Sequence, residues 1–178
     1  MEKYIMLLRG INVGGRNKLL MKELRDLLKD FDFQNVKTYI QSGNVIFTST
    51  DLDTVKFAED LSNTIKEQFG FSPRILVIDM DAFEKIITEN PFPDAKANPK
   101  SLHVYFLEEQ PANPDLTSLD GMKKESEQFV LKDCAFYLHA PEGIGRSKLA
   151  AGVEKALGVN ATARNWRTVN KLQEMISE

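Results

Sequence analysis

The stretch Val36-Lys37-Thr38-Tyr39-Ile40-Gln41-Ser42-Gly43-Asn44-Val45-Ile46-Phe47-Thr48-Ser49 sets the architecture. Two β-branched and aromatic runs, Val36 to Gln41 and Asn44 to Ser49, flank Ser42 and Gly43. A glycine between such runs supplies the positive φ of a tight hairpin turn. Toward the N-terminus, Leu20, Leu24, Leu27, Leu28 and Phe31 recur at helical spacing and predict a helix. Before it, Arg9 to Lys18 is rich in Gly and Asn and reads as a loop. Lys3 to Leu8 is short and almost wholly apolar, the pattern of a buried central strand. On the other side, Val55, Ala58, Leu61, Ile65 and Phe69 mark a second helix with Asp53 as its N-cap. Gly70 ends that helix, and Pro73 precedes a strand from Arg74 to Ile78. The order βαββαβ predicts a ferredoxin-like α+β unit over residues 1–79, with both helices on one face of its sheet.

Residues 80–100 read as a short helix, Asp81 to Asn90, and a linker carrying Pro91, Pro93 and Pro99. Residues 101–178 read as a second, smaller α+β unit. It has a strand from Leu102 to Leu107, a short helix from Asp115 to Gly121, and a hairpin of Gln128–Lys132 with Ala135–His139. A helix striped by Leu149, Val153 and Leu157 follows, with Ser147 as its cap, then a short closing strand from Val159 to Thr162. The C-terminal helix, Asn165 to Ile176, turns Trp166, Val169, Leu172 and Ile176 inward. The pattern leaves open a degenerate second ferredoxin-like copy, although the halves share no sequence repeat that aligns.

Five blocks carry a family likeness. Leu7-Leu8-Arg9-Gly10-Ile11-Asn12-Val13-Gly14-Gly15, followed by Met21-Lys22-Glu23-Leu24-Arg25, resembles the opening of the bacterial domain of unknown function 1697 family. Tyr39-Ile40-Gln41-Ser42-Gly43-Asn44-Val45 is similar to its second block. Asn90-Pro91-Phe92-Pro93, Gly143-Ile144-Gly145-Arg146-Ser147-Lys148-Leu149 and Thr162-Ala163-Arg164-Asn165-Trp166-Arg167-Thr168-Val169 resemble later ones. The resemblance implies a two-part α+β architecture with a ferredoxin-like unit. It implies no activity, substrate or cofactor, and no catalytic residue to carry over.

The 178 residues are 42 % apolar and 28 % charged, an ordinary globular balance. A chain of this size buries about 70 % of its extended surface and needs no staple. Cys134 is alone, which excludes an intramolecular disulfide and a cysteine-based metal site and fits a reducing cytoplasm. The run Tyr4 to Leu8 is too short for a secretory core and stops at Arg9. No stretch approaches the ~18 apolar residues of a membrane span, so no membrane partner is expected.

The net charge of −3 gives no general affinity for nucleic acid, but the charges are unevenly placed. Acids dominate Asp51 to Asp94. Arg9 to Lys18 holds Arg9, Arg16 and Lys18 with no acid. Gly143 to Gln173 holds Arg146, Lys148, Lys155, Arg164, Arg167 and Lys171 against Glu154 alone.

Chain direction turns this pattern into a candidate site. A helix crosses over between the first two strands, so the two run the same way and end at one edge of the sheet. The loop residues Arg9, Asn12, Gly14, Gly15, Arg16 and Lys18 then neighbour Gln41, Ser42, Gly43 and Asn44. Glycine N–H groups and basic side chains at such an edge, beside a helix N-terminus, suit a phosphate. Arg146, Ser147 and Lys148, with Arg164, Asn165, Trp166 and Arg167, are candidates for a second wall. The bland alternatives are a connector that uses left-handed Gly and Asn, an ordinary helix cap at Ser147, and a core role for Trp166.

Named motifs do not fit. Gly10-x-x-x-Gly14-Gly15 lacks the spacing of a dinucleotide fingerprint, and Gly143-Ile144-Gly145-Arg146-Ser147-Lys148 lacks that of a phosphate loop. The third strand has no aromatic pair for stacking RNA bases. His103 and His139 sit in strand patterns with no spaced metal partner, and Cys134, Ser42 and Ser147 lack a visible base. An enzyme would need an acid or base from elsewhere, with Glu142 and Asp133 as candidates. No cofactor or metal is expected. The expectation is therefore a cytoplasmic protein binding a phosphate-bearing ligand, either a nucleotide-like metabolite or nucleic acid. An interaction module forming a homodimer and an enzyme of unknown chemistry are the alternatives.

Overall fold

Tyr4 to Leu8 is apolar because its strand runs between two others. In the computed structural model, which describes residues 1–178, β1 (Glu2–Arg9) pairs antiparallel with β3 (Asn44–Ser49) on one side and with β4 (Arg74–Asp79) on the other. β2 (Gln34–Tyr39) adds outside β3, giving the order β2-β3-β1-β4. β1 and β2 thus point the same way with β3 between them, as the crossover helix α1 (Met21–Leu28) requires. α1 and α2 (Thr54–Phe69) pack on one face: Tyr4, Met6, Leu8, Val45 and Phe47 of the sheet share a core with Leu24, Leu28, Phe57, Leu61 and Ile65. Asp53 caps α2 by accepting the Lys56 N–H at 3.0 Å, and Gly70 ends it in the left-handed region at φ +82°.

The helical stripes need two corrections. Leu20 is not on the inner face of α1. Its backbone is still extended, at φ −69° and ψ 144°, so its side chain turns outward while Leu19 and Met21 are buried. Val55 is exposed as well, because it lies about 200° around the helix from Phe57. The buried row is Phe57, Leu61 and Ile65, spaced by four. Phe31 lies past the end of α1, half-buried against the same core.

The chain divides into two units, Met1–Lys85 with Leu172–Glu178 and Ile86–Lys171. α3 (Met80–Thr88) follows β4 directly. The second unit contains β5 (Leu102–Leu107), α4 (Leu116–Met122), β6 (Gln128–Lys132), β7 (Ala135–His139), α5 (Lys148–Leu157) and β8 (Ala161–Asn165). Its sheet is again antiparallel, in the order β6-β7-β5-β8. That is the first sheet's order, position for position, so the second βαββαβ copy left open by the sequence is present. Its crossover helix α4 is short, at seven residues. α6 (Trp166–Ser177) follows β8 as α3 follows β4. The closing strand starts at Ala161 rather than Val159, because left-handed Gly158 ends α5 only just before it. No helix is long and apolar enough to cross a membrane.

Both faces of the second sheet are buried. Tyr105, Leu107, Phe136 and Leu138 pack against Leu119, Leu149, Val153 and Leu157. On the other face lie Leu102, Val104, Phe106 and Tyr137, all at most 1 % exposed. The segment after Lys85 bonds to this side of the unit. The Tyr137 hydroxyl donates to the Ile86 carbonyl at 2.6 Å, and Lys132 Nζ donates to the Glu89 carbonyl at 2.8 Å.

Burial raises the Tyr137 hydroxyl pKa above the usual tyrosine range, and the nearby Glu89 and Asp133 add to the shift. Because the unfolded chain ionises this phenol first, the shift leaves stability unchanged below pH ~10 and lowers it as pH rises further. Tyr137→Phe leaves the Ile86 carbonyl without this donor and is expected to cost about 1–2 kcal/mol at pH 7. Its loss of stability between pH 9 and 11 will be shallower than in the wild type. Urea unfolding at several pH values checks both, and an unchanged alkaline slope contradicts the assignment.

Candidate functional site

The loop after β1 is built from left-handed residues: Gly10, Asn12, Gly14, Gly15 and Asn17 all have positive φ. Asparagine and glycine tolerate that region better than other residues, which is why they alternate here. The Arg16 N–H donates to the Val13 carbonyl at 3.0 Å, closing a tight turn with Gly14 and Gly15 at its tip. The Asn12 N–H donates to the Asn17 carbonyl at 3.0 Å, and Asn17 Nδ2 donates to the Gly10 carbonyl at 2.8 Å.

The Asn12 side chain ties three segments together. Its Nδ2 donates to the Leu19 carbonyl at 2.8 Å and to the Gln41 carbonyl at 2.7 Å, while its Oδ1 accepts the Leu19 N–H at 2.9 Å. The loop, the approach to α1 and the β2–β3 turn are thereby fixed to one another. The turn is locked from its other side as well. The Leu8 N–H donates to the Gly43 carbonyl at 2.8 Å. Gly43 has φ +81°, and a Cβ there would lie 2.7 Å from Leu8 Cβ and 2.8 Å from Ile11 Cδ1. Asn44, fully buried, donates from Nδ2 to the Tyr39 carbonyl and to Ser42 Oγ, both at 3.0 Å. The loop and the turn therefore share one rim of the first sheet, as chain direction demands.

The expected residues divide by role. Asn12, Gly43 and Asn44 build the frame. Gly14, Gly15, Arg16, Lys18 and Gln41 are exposed on it, and Ser42 is half-buried. Arg9 ends β1 at the same rim, with Arg74 of β4 as its cross-strand partner. The start of α1 differs from expectation. The Leu20 N–H donates to Glu23 Oε2 at 2.9 Å, so a carboxylate already occupies the first turn and weakens its pull on an anion. Sequence reasoning also missed three apolar side chains beside the Asn12 lock: Val13, Leu20 and Ile40 are 65 %, 59 % and 48 % exposed. Ile40 has φ +48°, a strained value for a β-branched residue.

In the second unit, the ends of β7 and β8 both lie opposite the start of β5, through Leu102 with His139 and His103 with Asn165. The segments 140–148 and 164–167 therefore leave one edge of that sheet. Arg146, Lys148 and Arg167 are exposed there. Ser147 is a buried cap accepting the Ala150 N–H at 3.0 Å, and Asn165 Oδ1 accepts the Thr168 N–H at 3.0 Å. Trp166 is only 1 % exposed and packs in the core, with the Lys96 ammonium 5.7 Å from its ring centroid. Arg164 Nη1 donates to the Ala163 carbonyl at 2.9 Å, and burial lowers its guanidinium to about 10, still charged at neutral pH. Burial also lowers the His103 imidazole below the ordinary histidine range.

The two units place charge in opposite senses along their sheets. The first is basic at the end of β1 and acidic at its start, where Glu2, Asp51, Asp53, Asp79 and Asp81 gather. The second is basic at the start of β5 and acidic at its end, near Glu108, Glu109, Asp115 and Asp133.

The profile of DUF1697, a protein of unknown function, matches residues 1–137. The chain belongs to the DUF1697 family. This DUF1697 chain is similar in fold to the conserved bacterial protein SP0830 from Streptococcus pneumoniae, with 23 % identity, a TM-score of 0.71 and 98 % of each chain covered. No curated protein matches it.

The lock at the DUF1697 rim makes its glycines unequal. Gly14 has φ +57°, and a methyl group added there would meet open space, whereas one added at Gly43 would meet Leu8 and Ile11. Gly14→Ala is expected to cost about 1 kcal/mol from backbone strain alone. Gly43→Ala adds overpacking, for about 3 kcal/mol in all. Urea unfolding of both variants checks the difference, and equal losses of stability contradict the close approach.

Proposed function

We propose that this cytoplasmic protein binds a phosphate-bearing ligand, a nucleotide-like metabolite or a nucleic-acid segment, at the rim formed by residues 9–18 and 41–44. The observation that carries the reading is the Asn12 bond to the Gln41 carbonyl at 2.7 Å, which makes the loop and the turn one surface. Arg16 and Lys18 are exposed on that surface, Arg9 ends the strand beside them, and residues 9–18 contain no carboxylate. A frame held by internal hydrogen bonds presents its charges at little further ordering cost. The exposed glycine tip of the loop allows a backbone approach to phosphate oxygens. Glu23 at the start of α1 argues for recognition by side chains and loop amides rather than by the helix terminus. The second basic edge, with Arg146, Lys148 and Arg167, suits the same ligand class.

Dimerisation through β2 draws less support. β2 is an edge, but its pairing is irregular between Gln34 and Lys37, and Lys37 sits on it. Bulges and lysines are features that discourage edge pairing.

The test is a titration with mononucleotides and short oligonucleotides at two salt concentrations, on wild type and on Arg16→Ala with Lys18→Ala. The double variant is expected to bind at least about tenfold more weakly. With an oligonucleotide, the logarithmic salt slope falls by about one for each basic group removed from a phosphate. Identical isotherms for the two proteins remove the rim from the reading.

A further inference from the structure

A second site lies at the far end of the first sheet. Lys3 on β1, Asn35 and Lys37 on β2, and Ile46 and Thr48 on β3 line a cavity of about 190 Å³, which Met175, Ile176 and Glu178 close from the end of α6. All of these residues belong to the first unit. The register sets Lys3 opposite Thr48 at the start of β1, whereas the Asn12 rim lies beyond its end. Strand alternation puts Lys3 and Ile46 on the sheet face away from the α1 and α2 core.

The lining has two characters. Ile46, Met175 and Ile176 form an apolar wall. Facing it, Lys3 Nζ donates to the Ile176 carbonyl, and Lys37 Nζ lies 3.1 Å from Glu178 Oε2. Asn35 Nδ2 donates to Thr48 Oγ1 at 3.4 Å. Each ammonium has three N–H donors, so a single carbonyl or carboxylate oxygen leaves capacity on both lysines. Within this lining two ammonium groups accompany one carboxylate side chain, while Lys3 also borders Glu2, Asp79 and Asp81 at the acidic start of β1. That carboxylate is held by an exposed pair, 44 % exposed on Lys37 and 60 % on Glu178, and exposed pairs are weak. The volume is below the ~300 Å³ at which drug-sized sites begin, so the occupant is small.

We propose that this cavity binds a short aliphatic carboxylate. Its head group replaces the Glu178 carboxylate on Lys37 and reaches Lys3, and its chain lies against Ile46, Met175 and Ile176. The Glu178 side chain already shows the head-group chemistry in place, so it acts as a tethered competitor. This site is independent of the phosphate-binding reading, because no residue is shared.

The experiment follows the Met175 methyl by NMR in the methyl-labelled full chain during titration with butyrate and, separately, inorganic phosphate. Butyrate is expected to shift the Met175 signal in the wild type. Glu178→Gln should saturate at a concentration several-fold lower, and Lys37→Ala should need at least about tenfold more. Phosphate should move the signal little. An unmoved Met175 signal in Glu178→Gln overturns the proposal, as does a Lys37→Ala titration that matches the wild type. An equal response to phosphate also overturns it, since charge alone would then account for binding.

Discussion

The Asn12 carboxamide carries the organisation of the sheet edge where the loop after β1 meets the β2–β3 turn. One planar group with two donors and an acceptor satisfies three backbone groups on two segments distant in sequence, Leu19 and Gln41. Backbone groups left without partners near the core are costly, so a loop of left-handed glycines and asparagines needs such an anchor. The Leu8 to Gly43 bond and the fully packed Gly43 complete the clamp from the strand side. Without the clamp, the basic residues would sit on a loose connector whose ordering any ligand would have to offset.

The edge therefore divides labour between frame and surface. Asn12, Gly43 and Asn44 face inward and hold shape, while Arg16 and Lys18 face water. The exposed Val13, Leu20 and Ile40 beside them give the rim an apolar element next to its charges. The strained φ of Ile40 persists because the clamp on either side of the turn fixes the chain there. The second unit repeats the strand order but not the edge. Its basic residues gather at the start of β5 instead, and two of the side chains expected to meet a ligand there, Ser147 and Trp166, are engaged in capping and packing. A shared topology thus carries an independent assignment of charge to the strand ends.

Most of the fold was legible because its signals are local. The hairpin Gln128–Lys132 with Ala135–His139 follows from β-branched and aromatic runs around Asp133 and Cys134. Asp53 and Ser147 were readable as caps because a short polar side chain before an apolar helical row has few other uses. The shared rim was legible from chain direction alone. What was not legible depends on tertiary detail. Leu20 looks like a core residue until the backbone at the helix start is known, and Val55 fits the apolar period by composition while pointing the wrong way. The bonds of Asn12 connect positions 29 residues apart, and no local pattern marks them. The Lys3–Lys37 cavity needs the end of α6 brought against β1 to β3, which spacing cannot announce.

A single side chain holding the rim has a direct readout in amide hydrogen exchange at Leu19, since this N–H donates to Asn12 Oδ1. In Asn12→Ala the Leu19 amide should exchange at least about tenfold faster than in the wild type. The Val104 amide, in the second unit, should keep its rate. Equal protection of Leu19 in the two proteins would refute this role of Asn12.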